Sequence, residues 1–267
     1  MKDLKKVGQW AVGLLLVLGL TACGQQEDKI IKIGATVGPH AQVADAVAKE
    51  AEKQGIKVKV VEFSDYITPD AALADGSIDL NSYQHLPFLT NYNSNNSTDL
   101  VSMGKSILMR MGIYSRKYKT LADLPENARV AIPNDPTNEG RGLLLLESAG
   151  LITLKEGVGY KATLKDVATN PKNLELLEID AAQLPRSLDD IDAAAITMNY
   201  VMSAGLNPAE LGLYLEPKDA PLAVMIVAAR KEDQDNENYK KVVNIFQSEA
   251  VHEFIQKTFN GTIEPAL

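Results

Sequence analysis

The feature that most constrains this chain is a strand, a helix and a second strand within about 35 residues. "IIKIGATV" (30–37) is rich in β-branched residues and reads as a strand. In "AQVADAVAKEAEKQG" (41–55), Val43, Val47 and Ala51 recur at helical spacing, and Gly55 is a plausible stop. "IKVKVVEF" (56–63) is a second strand pattern. Such a unit forces a right-handed crossover, so the two strands should lie parallel in one sheet. The alternation continues along the chain and predicts an α/β architecture.

Two longer apolar runs interrupt it. "LVSMGKSILMRMGIYS" (100–115) and "APLAVMIVAAR" (220–230) read as extended strands that cross between two halves. The expected organisation is a discontinuous first lobe, residues 29–110 with 226–267, and an inserted second lobe, residues 111–225. This is a two-lobed, periplasmic-binding-protein-like fold of the second type with two hinge-crossing strands. Ligands of open α/β sheets sit beyond the carboxyl ends of the strands, so the expected site is the cleft between the lobes.

The N-terminus carries separate information. Lys2, Lys5 and Lys6 precede an apolar run, Val7 to Leu20, that is short of the roughly 20 residues of a membrane span. This is the pattern of a signal peptide, residues 1–22. "LTAC" (20–23) fits a lipobox, with the chain's one cysteine, Cys23, as the acceptor of a covalent diacylglycerol. Residues 23–28 then form a lipidated tether. Removing residues 1–22 takes away three lysines and one aspartate, which moves the net charge from −8 to near −10. An acidic chain without a Lys/Arg run is unsuited to nucleic acid or to polybasic membrane contact. The expected location is the cell membrane, lipid-anchored and facing the periplasm or the extracellular side.

"NDPTNEGR" (134–141) follows a short apolar strand and runs into the helical "GLLLLESAG". Thr137 is a candidate helix cap. The helix N-terminus offers free amides and positive potential, and Arg141 lies one turn in, able to point back to the same place. A carboxylate there would gain amide bonds and a two-pronged guanidinium contact. The equal alternative from local features is an ion pair of Arg141 with Asp135 or Glu139.

Several long strings carry a resemblance. "AIPNDPTNEGRGLLLLESAGLITLKEGVG", "NPKNLEL", "AQLPRSLDD", "YQHLPFL" and "FSDYITP" resemble the MetQ/NlpA-type lipoproteins, the methionine-binding components of ABC importers. The resemblance spans most of the chain beyond the signal peptide. It implies a receptor that closes two lobes on a solute and delivers it to a membrane permease and its ATPase. The implied solute is an amino acid, methionine or a related compound. Arg141, helped by Asn138, would hold its carboxylate. Tyr66, Tyr83 and His85 would wall the side-chain pocket with Phe88 close by, suited to a thioether that gains about 0.3–1.5 kcal/mol per sulfur–ring contact.

The chain departs from the family at the amino-group end. Thr197 stands where the family has an asparagine, two residues before Asn199. In "PLAV", Leu222 and Val224 replace a tyrosine and the asparagine directed at the substrate amine. Met109 and Arg110 replace an aromatic residue and a proline on the first crossing. A buried ammonium needs acceptors. Val224 supplies none, so Thr197, Asn199 or Asp135 would have to serve, or the ligand is not a free α-amino acid in the family's pose. Arg110 is either a second anion contact or a hinge ion pair.

Two other readings stand beside the importer receptor. One is a surface or adhesion lipoprotein of the same fold that does not transport. The other is a secreted enzyme, for which the chain offers little: no Gly-x-Ser-x-Gly elbow and no conspicuous carboxylate pair. His40, His85 and His252 lack metal-ligand spacing, although His40 and His85 both follow strands. No enzyme activity, no metal and no cofactor besides the lipid are expected, and a monomer is the usual state of such receptors.

Overall fold

The computed structural model describes residues 29–267; the signal peptide and Cys23 lie outside the described residues. The chain first builds β1 (Ile31–Thr36), α1 (Pro39–Lys53), β2 (Val58–Phe63), α2 (Thr68–Ala74), β3 (Leu80–His85), α3 (Leu86–Asn96) and β4 (Val101–Leu108). It then crosses to β5 (Met111–Tyr114), β6 (Arg129–Pro133), α4 (Pro136–Ser148), β7 (Thr153–Leu154), β8 (Val167–Thr169), β9 (Glu175–Ile179), α5 (Leu184–Ser187), β10 (Ala193–Thr197), α6 (Met198–Ser203), α7 (Pro208–Leu211) and β11 (Gly212–Leu215). It returns as β12 (Val224–Ala229), α8 (Glu237–Phe246), α9 (Glu249–Phe259) and β13 (Glu264–Pro265).

Two main sheets result, one per lobe, beside a two-stranded ribbon of β7 and β8. The first runs β13-β4-β12-β3-β1-β2, and the second β11-β5-β10-β6-β9. The opening βαβ unit is parallel as read from the sequence, with Ile31 opposite Val58. Neither sheet is parallel throughout. Strand β12 enters from the other lobe and runs antiparallel to both β3 and β4, and β5 runs antiparallel to β10 for the same reason. The first crossing is two strands rather than one, interrupted at Met109 and Arg110. The returning strand β12 belongs wholly to the first sheet.

Each sheet is covered on both faces, as α/β folding requires. In α1 the expected stripe, Val43, Val47 and Ala51, is fully buried. It packs with α8 and α9 on one face of the first sheet, in a cluster that continues into the second lobe through Met198, Tyr200 and Val201. Leu73, Ile78, Leu89 and Leu100 fill the opposite face. In the second lobe, Leu143, Leu145 and Leu146 of α4 pack on Val130 and Ile132 of β6.

Two glycines set the approach of elements near the cleft. Gly38, at φ 89°, brings the start of α1 against α6 of the other lobe, where an added Cβ would lie 3.0 Å from that of Ser203. Gly140 in α4 faces the turn at 159–161, and a Cβ there would sit 2.0 Å from the carbonyl oxygen of Tyr160. Backbone meets backbone at that point, so no side-chain rotation relieves the contact. Gly140→Ala is expected to destabilise the protein by about 1–3 kcal/mol, read as a lower denaturant midpoint.

Candidate ligand-binding site

The loop after β6 is built as the sequence suggested, with one change. Asp135, not Thr137, caps α4; its Oδ1 accepts from the Asn138 amide at 3.0 Å. Pro136, lacking an N–H, fits the first helical position, and this moves the cap one residue before it. Thr137 leans on the same carboxylate through its hydroxyl at 3.3 Å.

Arg141 departs from the local ion-pair expectation. Its side chain is 2 % exposed, and it pairs with neither Asp135 nor Glu139. Its Nε donates to Glu216 Oε1 at 2.8 Å and its Nη2 to Glu216 Oε2 at 2.6 Å. Nη2 also donates to the Met109 carbonyl at 2.8 Å, and Glu216 Oε2 accepts the Met111 amide at 2.7 Å. The two-pronged contact expected for a ligand is thus spent on Glu216. The Nη1 group is left over from these bonds, on a side chain that lines the cavity between the lobes. A buried pair of this kind holds the guanidinium in one orientation, and planar fork geometry makes that orientation specific.

The opposite wall is aromatic. An Asx turn at Asp65, whose Oδ1 accepts from Ile67 N and Thr68 N at 2.8 Å, presents Tyr66. Thr68 is the first residue of α2. Tyr83 and His85 lie on β3, and Phe88 in the first turn of α3. The Tyr66, Tyr83 and Phe88 ring centroids lie 6.0–6.2 Å apart. Tyr200 backs Tyr66 at 4.8 Å.

Histidine 85 does two things. Its Nδ1 accepts from the Phe88 amide at 3.1 Å and caps α3. The proton is therefore on Nε2, which faces Asn138 Oδ1 at 3.2 Å across the cleft. Asn138 Nδ2 in turn donates to both Asp135 oxygens at 3.0 Å. Burial, reinforced by the Arg141 charge, lowers the His85 pKa to about 3 and keeps this chain of bonds neutral at the ring.

A second link joins the lobes. The Tyr66 hydroxyl donates to Asn199 Oδ1 at 2.6 Å and meets Thr197 Oγ1 at 2.8 Å, the threonine acting as donor. Burial pushes the Tyr66 pKa far up, so the hydroxyl keeps its proton. Replacing Tyr66 with phenylalanine removes both bonds and leaves two buried partners unsatisfied. An affinity loss of about 1–3 kcal/mol is expected, measured by calorimetry.

Together these side chains line a small cavity between the lobes. All eight residues picked from the sequence line it: Tyr66, Tyr83, His85, Phe88, Asn138, Arg141, Thr197 and Asn199. Four more that were not picked as ligand contacts join them: His40, Gln84, Met109 and Met225. The position assigned to Val224 needs correction. Val224 is half-buried and pairs with Leu108, while the next residue, Met225, reaches the cavity. A strand turns successive side chains to opposite faces, so a one-residue register error reverses the assignment. Leu222 is buried in a 3₁₀ turn before β12 and is not part of the lining. Arg110 lines a separate cleft with Tyr114, Met198 and residues 260–262. It makes no second contact with an anion in the cavity, because Met109 takes the inward position. Among the described residues no group of three or more His, Cys, Asp or Glu is arranged to hold a metal ion.

Glu216 had no sequence signal. It lies 75 positions from Arg141, and only the packing of β11 beside β5 brings it there. His40 had a weak one, since it follows the first strand of the βαβ unit.

Two α/β lobes closed over a small, aromatic-walled cavity with one cationic end define the class of solute-binding proteins. Comparison with known proteins is consistent with that class. The family model described as NlpA lipoprotein matches residues 31–267. The chain is 46% identical over 257 residues to the D-methionine-binding lipoprotein MetQ of Salmonella typhimurium, covering 94% of each chain. Among solved structures it is similar to a nutrient-binding protein from Burkholderia cenocepacia bound to methionine, with 45% identity and a TM-score of 0.86 over 89% of this chain and all of that one. A periplasmic substrate-binding protein of an ABC transporter from Coxiella burnetii gives 42% identity and a TM-score of 0.85, again over 89% and 100%. The chain belongs to the NlpA lipoprotein family.

Proposed function

We propose that this lipoprotein is the substrate receptor of an ABC importer and captures a small amino acid-type solute, methionine or a related compound. The observation that carries the reading is the cavity between the lobes, with the Nη1 of Arg141 free at one end and Tyr66, Tyr83 and Phe88 along the wall. Arg141 holds the carboxylate, Asn138 stands beside it fixed by Asp135 and His85, and the rings contact the side chain, where a thioether is favoured.

The cross-lobe bonds of Tyr66 and His85 belong to the closed form. A ligand that touches both lobes favours that form by the difference of its affinities for open and closed states. The closed form is what the permease and its ATPase receive. Lipid on Cys23 keeps the receptor at the membrane; no helix among the described residues is long and apolar enough to cross it. The receptor performs no covalent chemistry on its solute. Mass spectrometry of the small molecules released by denaturing the purified full-length lipoprotein tests the reading. A small carboxylate with an apolar or thioether tail is the expected result, and release of a sugar, a cation or a metal complex would overturn it.

A further inference from the structure

The chain enters the first lobe at a fixed point. Lys29 Nζ donates to Asp79 Oδ1 at 2.9 Å and to the Tyr239 hydroxyl at 3.4 Å. Asp79 is itself held, since its Oδ2 accepts the Lys32 amide at 2.8 Å and its Oδ1 the Tyr239 hydroxyl at 2.6 Å. Strands β1 and β2 are parallel, with Ile31 opposite Val58, so their N-terminal ends lie side by side at one end of the lobe. The cavity lies at the other end, where His40 and Tyr66 follow these strands. Six residues of strand separate the two ends, about 20 Å.

The end away from the cavity is basic. Lys29, Lys57 and Lys241 line one groove there with Gln54, Asn236 and Asn238, and no acidic residue lines it. Lys57 and Lys241 are exposed and join no ion pair among the described residues. Acids beside the groove are engaged elsewhere, Asp79 with Lys29 and both Asp235 and Glu237 with Lys240. Glu52, exposed at the end of α1, stands outside the lining. Ile30, next to Lys29, is 50 % exposed. No run of basic residues in the sequence marks this face; folding gathers it from three separate segments.

The length of the tether says what meets it. Six residues lead from Cys23 to Lys29, and even fully extended they reach only about 20 Å. A diacylglycerol on Cys23 therefore keeps this end of the lobe beside the bilayer at a high effective concentration. Lysines around an exposed apolar side chain suit the boundary between anionic headgroups and acyl chains. We propose that this end of the first lobe rests on an anionic lipid surface, with Lys29, Lys57 and Lys241 on the headgroup phosphates and Ile30 at the boundary. This placement rests on the reading of Cys23 as lipidated. The rest of the chain is acidic, near −10 overall without residues 1–22, and the same surface repels it, which orients the molecule. The contact is screened by salt, and it leaves the cleft at the far end open to solutes.

The test uses the full-length lipoprotein in vesicles of phosphatidylcholine, alone or mixed with phosphatidylglycerol, each carrying a nitroxide-headgroup lipid. Gln54→Cys on the basic face and Lys119→Cys on the second lobe each supply a single free thiol for a fluorophore, because lipid occupies Cys23. With phosphatidylglycerol present, quenching at position 54 is expected to exceed that at position 119 by about threefold or more. High salt, or Lys57→Glu with Lys241→Glu at exposed positions, should return it to the level in neutral vesicles. Equal quenching at the two positions, or quenching at position 54 that ignores vesicle charge, overturns the proposal while leaving the lipid anchor in place. Protein that does not float with the vesicles overturns the anchor and the proposal together. A fluorophore at position 54 that becomes buried in detergent alone, increasingly with protein concentration, assigns this face to a second copy of the chain and also overturns it.

Discussion

Replacing Glu216 with alanine is expected to lower the stability of the protein by about 3–5 kcal/mol, the cost of leaving a buried guanidinium without its counter-charge. The pair is shielded on both sides, with side-chain exposures of 2 % for Arg141 and 9 % for Glu216. The substitution also orphans the Met111 amide at the point where the chain enters the second lobe. Chemical denaturation of the variant should show a lower midpoint with an unchanged slope. A midpoint equal to wild type would mean that the guanidinium has another anchor and that Glu216 does not orient it.

The second large effect concerns affinity and needs a variant that separates binding from folding. Arg141→Ala alone would strand Glu216 in the same way, so a loss of binding would be ambiguous. Changing Arg141 and Glu216 to methionine together removes both charges; swaps of buried ion pairs for apolar residues of similar volume are often neutral or stabilising. This double variant should fold with near-wild-type stability and bind its solute about 1.5–3 kcal/mol more weakly, the contribution of a hydrogen bond to a charged group. That is roughly one to two orders of magnitude in Kd. Unchanged affinity in a folded double variant would remove Arg141 from the site.

Much of the cavity was legible because local chemistry and long matching strings point to the same residues. "NDPTNEGR" contains a cap, a proline for the first helical position and an arginine one turn on, and all are used, with Asp135 as the cap. "YQHLPFL" places Tyr83, His85 and Phe88 at a strand-to-helix junction, and the junction is there. What escaped the reading depended on register and on distance along the chain. The assignment of Val224 failed by one position because nothing local distinguishes the two faces of "VMIVAA", buried almost throughout. The partner of Arg141 was sought within its own helix. The better partner came from a segment after β11, which only sheet assembly brings near.

The order of strands and helices, the apolar stripe of α1 and the turn chemistry at Asp65 and Asp135 are local: each rests on periodicity, capping or backbone preference within a few residues, so composition and spacing suffice to specify it. Which way Arg141 points, which residue of β12 meets the ligand and which buried polar atoms stay unpaired are settled by contacts between segments far apart in sequence. Those contacts exist only once two sheets have packed and the lobes have closed, since burial is what makes a bond to Glu216 worth more to the guanidinium than water.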